Sequence, residues 1–212
     1  MLKVLVIGTG GLARELTSYF AEDYQLVEIV GFSSTNLDEH GQFNLPGAFF
    51  AGEVTPDTVG TSQAVIAIGN PRVKRAISEK LRAAGFSFPT LVHPSSVVSS
   101  SALLSEGVVV SPNCTVSPRV QLGNFCYLNF CCGVGHDAVV GAYSQVNPGC
   151  QLGGFVTIGE GSLVGSGSTI LQGISVGREA TIASGSVVFT RVADGATMMG
   201  NPAKRMRALE TQ

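Results

Sequence analysis

The sequence predicts two folds in series: an α/β unit with a parallel sheet over residues 1–90, then a left-handed parallel β-helix over 91–193, followed by a tail over 194–212. Three observations predict this. An aliphatic residue recurs at every sixth position through the second half. A column of mostly small residues follows it at a fixed offset. The first half opens with a short apolar strand, a glycine loop and a helical stretch.

The repeat is the strongest of the three. Stepping by six from Val92 through Val98, Leu104 and Val110 to Ile182 and Val188 meets only Val, Leu or Ile, with no slip in register. Four residues after each aliphatic stand residues such as Ser96, Cys114, Cys126, Cys132, Ala138, Ser144 and Cys150. A period of six suits neither an α-helix nor an ordinary strand. Three hexads wound into a triangular coil do fit, each hexad giving a short strand and a corner. The aliphatic side chain then points inward, the small one fills the remaining interior, and coils stack ~4.8 Å apart as parallel strands. Gly often follows the aliphatic, as at Gly123, Gly135 and Gly153, and is expected to relieve backbone strain at the corner.

This register accounts for four of the five cysteines, Cys114, Cys126, Cys132 and Cys150, as small core residues. Cys131 falls outside the column. The odd count and the absence of an export signal argue against a disulfide framework.

The front unit begins with the strand Lys3–Ile7 and the loop Gly8-Thr-Gly-Gly-Leu-Ala13, followed by a helical stretch over 12–21. Strand, glycine loop and helix in this order resemble a dinucleotide fingerprint, in which backbone N–H groups meet a phosphate. The unit is therefore expected to be Rossmann-like. A second strand is expected over 26–32, but Ser33 and Ser34 follow it where a ribose-binding acid would stand, which disfavours NAD. A third strand is expected over 63–68. It leads through Gly69-Asn70-Pro71 into a basic helix over 72–84.

Composition narrows the function. With 44% hydrophobic and 13% charged residues the 212-residue chain is not of a disordered class. A net charge of −2 gives no basic footprint for nucleic acid. No apolar run is long enough to span a bilayer, and the N-terminus carries no signal-peptide pattern, so a soluble cytoplasmic protein is expected.

Of the three histidines, His40, His93 and His136, only His136 lies deep in the repeat. It is expected at an outward corner beside the acidic Asp137, which suits a general base. Gly153 and Gly154 stack one coil later and are expected to offer open N–H groups, with Asn129 and Asn147 flanking the region. No hexad is interrupted, so no loop forms a pocket. A cleft is expected only where prism packs on prism, as in a trimer.

Together the segments Val6-Ile-Gly-Thr-Gly-Gly11, Val30-Gly-Phe32, Ile68-Gly-Asn70, Val92-His-Pro94, Gly135-His-Asp137 and Gly200-Asn-Pro-Ala-Lys204 resemble the bacterial sugar acetyltransferases of the NeuD/PglD type. The resemblance covers essentially the whole chain. It implies a homotrimer with acetyl-CoA as co-substrate, no metal, and a nucleotide-linked amino sugar as acceptor, in surface-glycan synthesis. It implies His136 as catalytic base and Asp137 as its acidic neighbour. It places the acceptor at Gly8, Gly10, Gly11, Ser33, Ser34, Gly69, Asn70 and Asn129. The coenzyme would lie against Gln145, Gly154, Ser166, Ser184 and Lys204. Gln145 stands where the family commonly has a second His, Leu12 where its glycine loop often has one, and Ser33-Ser34 where an acidic pair is often found.

Two alternatives stand beside N-acetylation: O-acetylation of a sialic-acid-like sugar, and a non-catalytic β-helical scaffold. A β-helical carbonic anhydrase needs three His ligands for zinc, and one His in the repeat does not supply them.

Overall fold

The computed structural model describes residues 1–206, with only the backbone of Leu37. The chain divides into two compact units after Thr90.

In the first unit, β1 (Leu2–Ile7), β2 (Val27–Ser33), β3 (Ala48–Phe50) and β4 (Ala64–Ile66) form one parallel sheet in the order β3-β2-β1-β4. Val4, Leu5 and Val6 are fully buried, as an unbroken apolar run on a central parallel strand requires. Strand order reverses at β1, so the glycine loop leaves the sheet at its switch point. The helix after it is α1 (Gly11–Leu16), continued by a π-helical turn over Thr17–Glu22. The Thr17 hydroxyl donates to the Ala13 carbonyl (2.8 Å) where the hydrogen-bond pattern changes.

The expected second strand is found one residue later, and the expected third is β4, shorter than its apolar run. Three elements were not foreseen: β3, α2 (Leu37–Gln42) and α3 (Pro56–Val59). The single turn of α3 is set by a Thr55–Thr58 capping box, Pro56 in its first turn, and Gly60 at φ 76° after it. The basic helix is α4 (Pro71–Ala83), capped by Asn70.

The second unit carries seventeen two-residue strands, from β5 (Leu91–Val92) to β21 (Val187–Val188). From β5 to β18 (Thr169–Ile170) each pairs in parallel with the strand eighteen residues on, as Gln121↔Val139 and Leu122↔Val140. The result is three sheets, one per face of the prism. The aliphatic column forms the core: Val110, Leu128, Val146, Val164, Ile170 and Ile182 are fully buried. Each such side chain contributes about 1.5–3 kcal/mol over an exposed one.

The glycines that follow the aliphatics play a different part from the one expected. Gly123, Gly135, Gly141, Gly153, Gly159 and Gly165 do not have left-handed φ. A β-carbon on any of them would meet backbone of the next coil at 2.5–2.6 Å. They are glycines because coils approach closely there. The left-handed corner residue sits two positions later, and several are not glycine: Arg119, Phe125, Cys131, Asp137 and Tyr143 have φ of 58–61°.

The small column also has a second property. Ser144, Ser162 and Ser168 donate side-chain hydrogen bonds to the carbonyls of Gly159, Gly177 and Ala183, fifteen residues on. Cys114, Cys132 and Cys150 do the same toward Asn129, Asn147 and Gly165, with Sγ···O of 3.0, 3.2 and 3.1 Å. At these positions the residues are small and also donate to inward-turned corner carbonyls. Hydrogen bonds to the thiols of Cys114 and Cys150, and then burial, push the Cys132 pKa far up, so it holds its proton.

The coil continues into the segment expected to be a tail. Strand β22 (Thr197–Met199) extends the sheet beside β20 (Thr181–Ile182), Ala196 and Met198 join the core, and β23 (Lys204–Arg205) pairs antiparallel with β22. The rest of the tail, 207–212, lies outside the described residues. Among the described residues no helix is long and apolar enough to cross a membrane.

Candidate functional site

His136 follows β12 (Gly133–Val134) at the corner leading to β13 (Val139–Val140). Its side chain is 52% exposed, and Nδ1 lies 2.8 Å from Asp137 Oδ2. Asp137 occupies the left-handed corner position, which fixes its carboxylate beside the ring. A hydrogen on Nδ1 donates to that carboxylate and leaves Nε2 as the basic nitrogen.

One coil earlier, Arg119 reaches the same carboxylate with two donors: Nε to Oδ1 at 2.6 Å and a terminal guanidinium nitrogen to Oδ2 at 2.9 Å. The guanidinium, and after it the imidazole, lower the Asp137 pKa to about 2. One coil later, the exposed Phe155 ring meets the imidazole edge-on, centroids 5.0 Å apart. Neither Arg119 nor Phe155 was singled out from the sequence, yet the signal was there: 119, 137 and 155 are spaced by one coil.

Gly153 and Gly154 do stack over this corner, but only one has an open N–H. The Gly153 N–H donates to Ile170, as part of the ladder. The second corner position takes no part in that ladder through its nitrogen, which is why Pro112, Pro118 and Pro148 can occupy it. Gly154 holds this position, buried against the imidazole, and its N–H has no hydrogen-bond partner among the described residues.

The remaining expected residues of this unit lie elsewhere. Asn129 and Asn147 do not flank His136 but end strands of the eight-stranded sheet, at the neighbouring corner. Asn129 is buried, and its Oδ1 accepts from the Phe130 N–H at 2.8 Å. Ser166 and Ser184 are exposed along that neighbouring corner, joined by the Gly185 N–H donating to the Ser166 carbonyl. Gln145, on β14 (Gln145–Val146), points outward from the eight-stranded sheet and is only 3% exposed. Lys204 is exposed on β23. Between the two corners, on the six-stranded face, a hollow of about 350 Å³ opens over Gly133, lined by Asn113, Thr115, Gln151 and the exposed Cys131. The uninterrupted repeat gave no hint of it.

In the first unit, Gly8, Ser33 and Ser34 line a cleft of about 700 Å³ at the carboxyl ends of the strands, with Thr35, Thr55, Ile68, Val73 and Lys80. Gly8 has φ 107° and its amide donates to the Ser33 carbonyl. Gly10 and Gly11 have open space where a β-carbon would stand. Asn70 is engaged as a helix cap, its Oδ1 accepting from the Arg72 and Val73 amides. The Thr9 hydroxyl donates to Glu39 (2.6 Å) and lies 3.1 Å from the Ser34 hydroxyl, so a carboxylate does reach the glycine loop, from α2.

Comparison with known proteins fits both units. Residues 3–81 match the family described as PglD N-terminal domain, and residues 137–172 match bacterial transferase hexapeptide (six repeats). The acetyltransferase domain of PglB from Neisseria gonorrhoeae, solved with acetyl coenzyme A, is 30% identical, with 96% of this chain and 98% of that one covered and a TM-score of 0.84. The chain belongs to the NeuD/PglD-type family of bacterial sugar acetyltransferases. Another member, a His-to-Asn variant of perosamine N-acetyltransferase from Caulobacter crescentus in complex with CoA and GDP-perosamine, is 25% identical with 97% of both chains covered and a TM-score of 0.87. GDP-perosamine N-acetyltransferase of Escherichia coli O157:H7 is 34% identical over 78 residues, a stretch spanning 37% of this chain and 35% of that relative.

Proposed function

We propose that the chain is an acetyl-CoA-dependent N-acetyltransferase acting on the amino group of a nucleotide-linked amino sugar, in surface-glycan synthesis in the cytoplasm. The observation that carries this is the exposed His136–Asp137 pair set against the N–H of Gly154, which has no partner among the described residues. The acceptor nitrogen attacks the thioester carbonyl carbon. As the N–C bond forms, a proton on that nitrogen passes to His136 Nε2. The C–S bond then breaks, and the coenzyme sulfur takes the proton from Nε2. General-base assistance of this kind contributes about 10²–10⁴-fold. Asp137 orients the ring and balances its positive charge, and the Gly154 N–H stabilises the oxyanion. No acyl-enzyme is required, in keeping with core cysteines that donate inward. The relatives solved with coenzyme A or acetyl coenzyme A and with GDP-perosamine support this reading.

The nucleotide is assigned to the cleft at Gly8, Ser33 and Ser34, with the loop to Gly11 and the Gly69-Asn70 turn beside it. The site is assigned to a homotrimer. His136 and Gly154 line one corner, while Asn129, Ser166 and Ser184 line the next, so a groove with both walls needs a second copy. Lys204 is assigned to the coenzyme side.

Turnover of acetyl-CoA against UDP-, GDP- and dTDP-linked 4-amino sugars, with sialic acid and CMP-sialic acid included, tests the reaction. An amide product with one of the amino sugars is expected, and its loss by at least about 100-fold in His136→Ala. An ester product, or turnover unchanged in the folded variant, would overturn the assignment. Mixing His136→Ala with Ser166→Trp chains tests the shared site: activity should return from two inactive parents.

A further inference from the structure

The residue one coil before the His–Asp pair has no role in the reaction as described so far. Arg119 and Asp137 are fixed relative to each other by backbone as well as by side chain. Both sit at left-handed corner positions, φ 59° and 60°. The Asp137 amide donates to the carbonyl of Pro118, the residue just before Arg119, at 3.0 Å. The two-pronged contact then fills both carboxylate oxygens, and Oδ2 is shared with the imidazole. Ordinary surface ion pairs contribute little because two flexible chains must be immobilised. Here the backbone has already placed both ends, and the planar guanidinium fixes the plane of the carboxylate. A carboxylate with one oxygen aimed at Nδ1 selects the tautomer in which Nε2 is free to accept a proton. In the two coils that follow, the residues at this corner, Gly154, Phe155, Gln172 and Gly173, carry no charge.

We propose that Arg119 is a positioning residue: its bidentate grip holds the Asp137 carboxylate against His136 Nδ1 and so keeps the basic Nε2 presented to the acceptor amine. This rests on the acetyl-transfer reading for its kinetic consequence, but the tautomer itself is a property of the resting protein. The substitution is Arg119→Met, which keeps the length and removes the donors, with Arg119→Lys beside it. Because Arg119 is largely exposed, neither change disturbs the core.

Imidazole ¹⁵N NMR of the resting trimer, with only three histidines to assign, reads the tautomer directly. Neutral His136 should carry its proton on Nδ1 in the native protein and shift toward the Nε2–H form in Arg119→Met. In turnover, Arg119→Met should lower kcat roughly ten- to hundredfold with KM for acetyl-CoA changed less than about twofold. In an Asp137→Asn background the same change should add less than about twofold, because Arg119 acts through that carboxylate. Arg119→Lys should restore part of the loss. An unchanged tautomer in Arg119→Met, or effects of Arg119 and Asp137 that multiply, would overturn the proposal. So would a rise in KM for either substrate at constant kcat, which would make Arg119 a binding residue. Should no acceptor be acetylated at all, the tautomer shift still decides the matter.

Discussion

Gly154 lies against the imidazole of His136, so that a β-carbon on it would meet Nε2 at 2.7 Å and Cε1 at 2.8 Å. Gly135, beside His136 in sequence, faces something quite different: a β-carbon there would meet the Gly154 amide nitrogen at 2.5 Å. One glycine makes room for a movable side chain, and the other for fixed backbone.

These two contacts predict opposite phenotypes. Gly154→Ala should displace the imidazole and lower kcat at least about tenfold with little change in melting temperature. Gly135→Ala should force two coils apart at a cost of about 1–3 kcal/mol, a fall of several degrees. Thermal melts and turnover of both variants check this. A stable, fully active Gly154→Ala would mean the ring does not rest where it is seen.

Asp137 makes a pH prediction. Its carboxyl is lowered to about 2 in the folded chain, by Arg119 first and His136 second, against ~3.9 for an unperturbed Asp. A depressed folded pKa gives stability that is present above the unfolded value and lost as pH falls through the folded one. The melting-temperature gap between the native protein and Asp137→Asn should therefore hold above about pH 4 and close toward pH 2. A gap that widens on acidification would contradict the assignment.

The inward thiols predict a difference between two small substitutions. Cys150→Ser keeps a donor for the Gly165 carbonyl, whereas Cys150→Ala removes it. The alanine variant should lose about 1 kcal/mol, read from the denaturant midpoint, and the serine variant less. Equal losses would mean that only size matters in this column.

Gly10 caps α1 with open space around its α-carbon. Gly10→Val should leave the fold intact and raise the acceptor KM by closing the approach to the loop, with acetyl-CoA affinity unchanged. Weaker acetyl-CoA binding with normal acceptor KM would reverse the division of labour between the two units.

The β-helix was legible because its period is strict: each aliphatic from Val92 to Val188 could be placed without any tertiary information. The same arithmetic, one coil back from Asp137, leads to Arg119, and one coil on to Phe155. What it did not show is why the residues occur. Gly123 and Gly135 looked like corner glycines but serve close approach between coils. Cys114 and Ser144 looked merely small but are donors. In the first unit, α2 and β3 carry no periodic signal, so the approach of Glu39 to Thr9 was out of reach of the sequence. Asn70 looked like a ligand residue, and its helix-capping role needed only the Pro71 that follows it.

The pairing of residues eighteen apart, unbroken from Leu91 to Val188, also dictates how this gene can change length. Adding or removing one codon inside the repeat would rotate every downstream aliphatic out of the core and every polar residue into it, much as a register slip inverts a strand. It would also uncouple His136 from Arg119 or from Gly154, depending on the side on which it fell. An indel of a whole coil keeps the interior intact, but a coil inserted between 119 and 137 would part the ion pair. Variation in length among functional descendants of this protein should therefore gather in the first unit and beyond the last coil, or come in steps of eighteen.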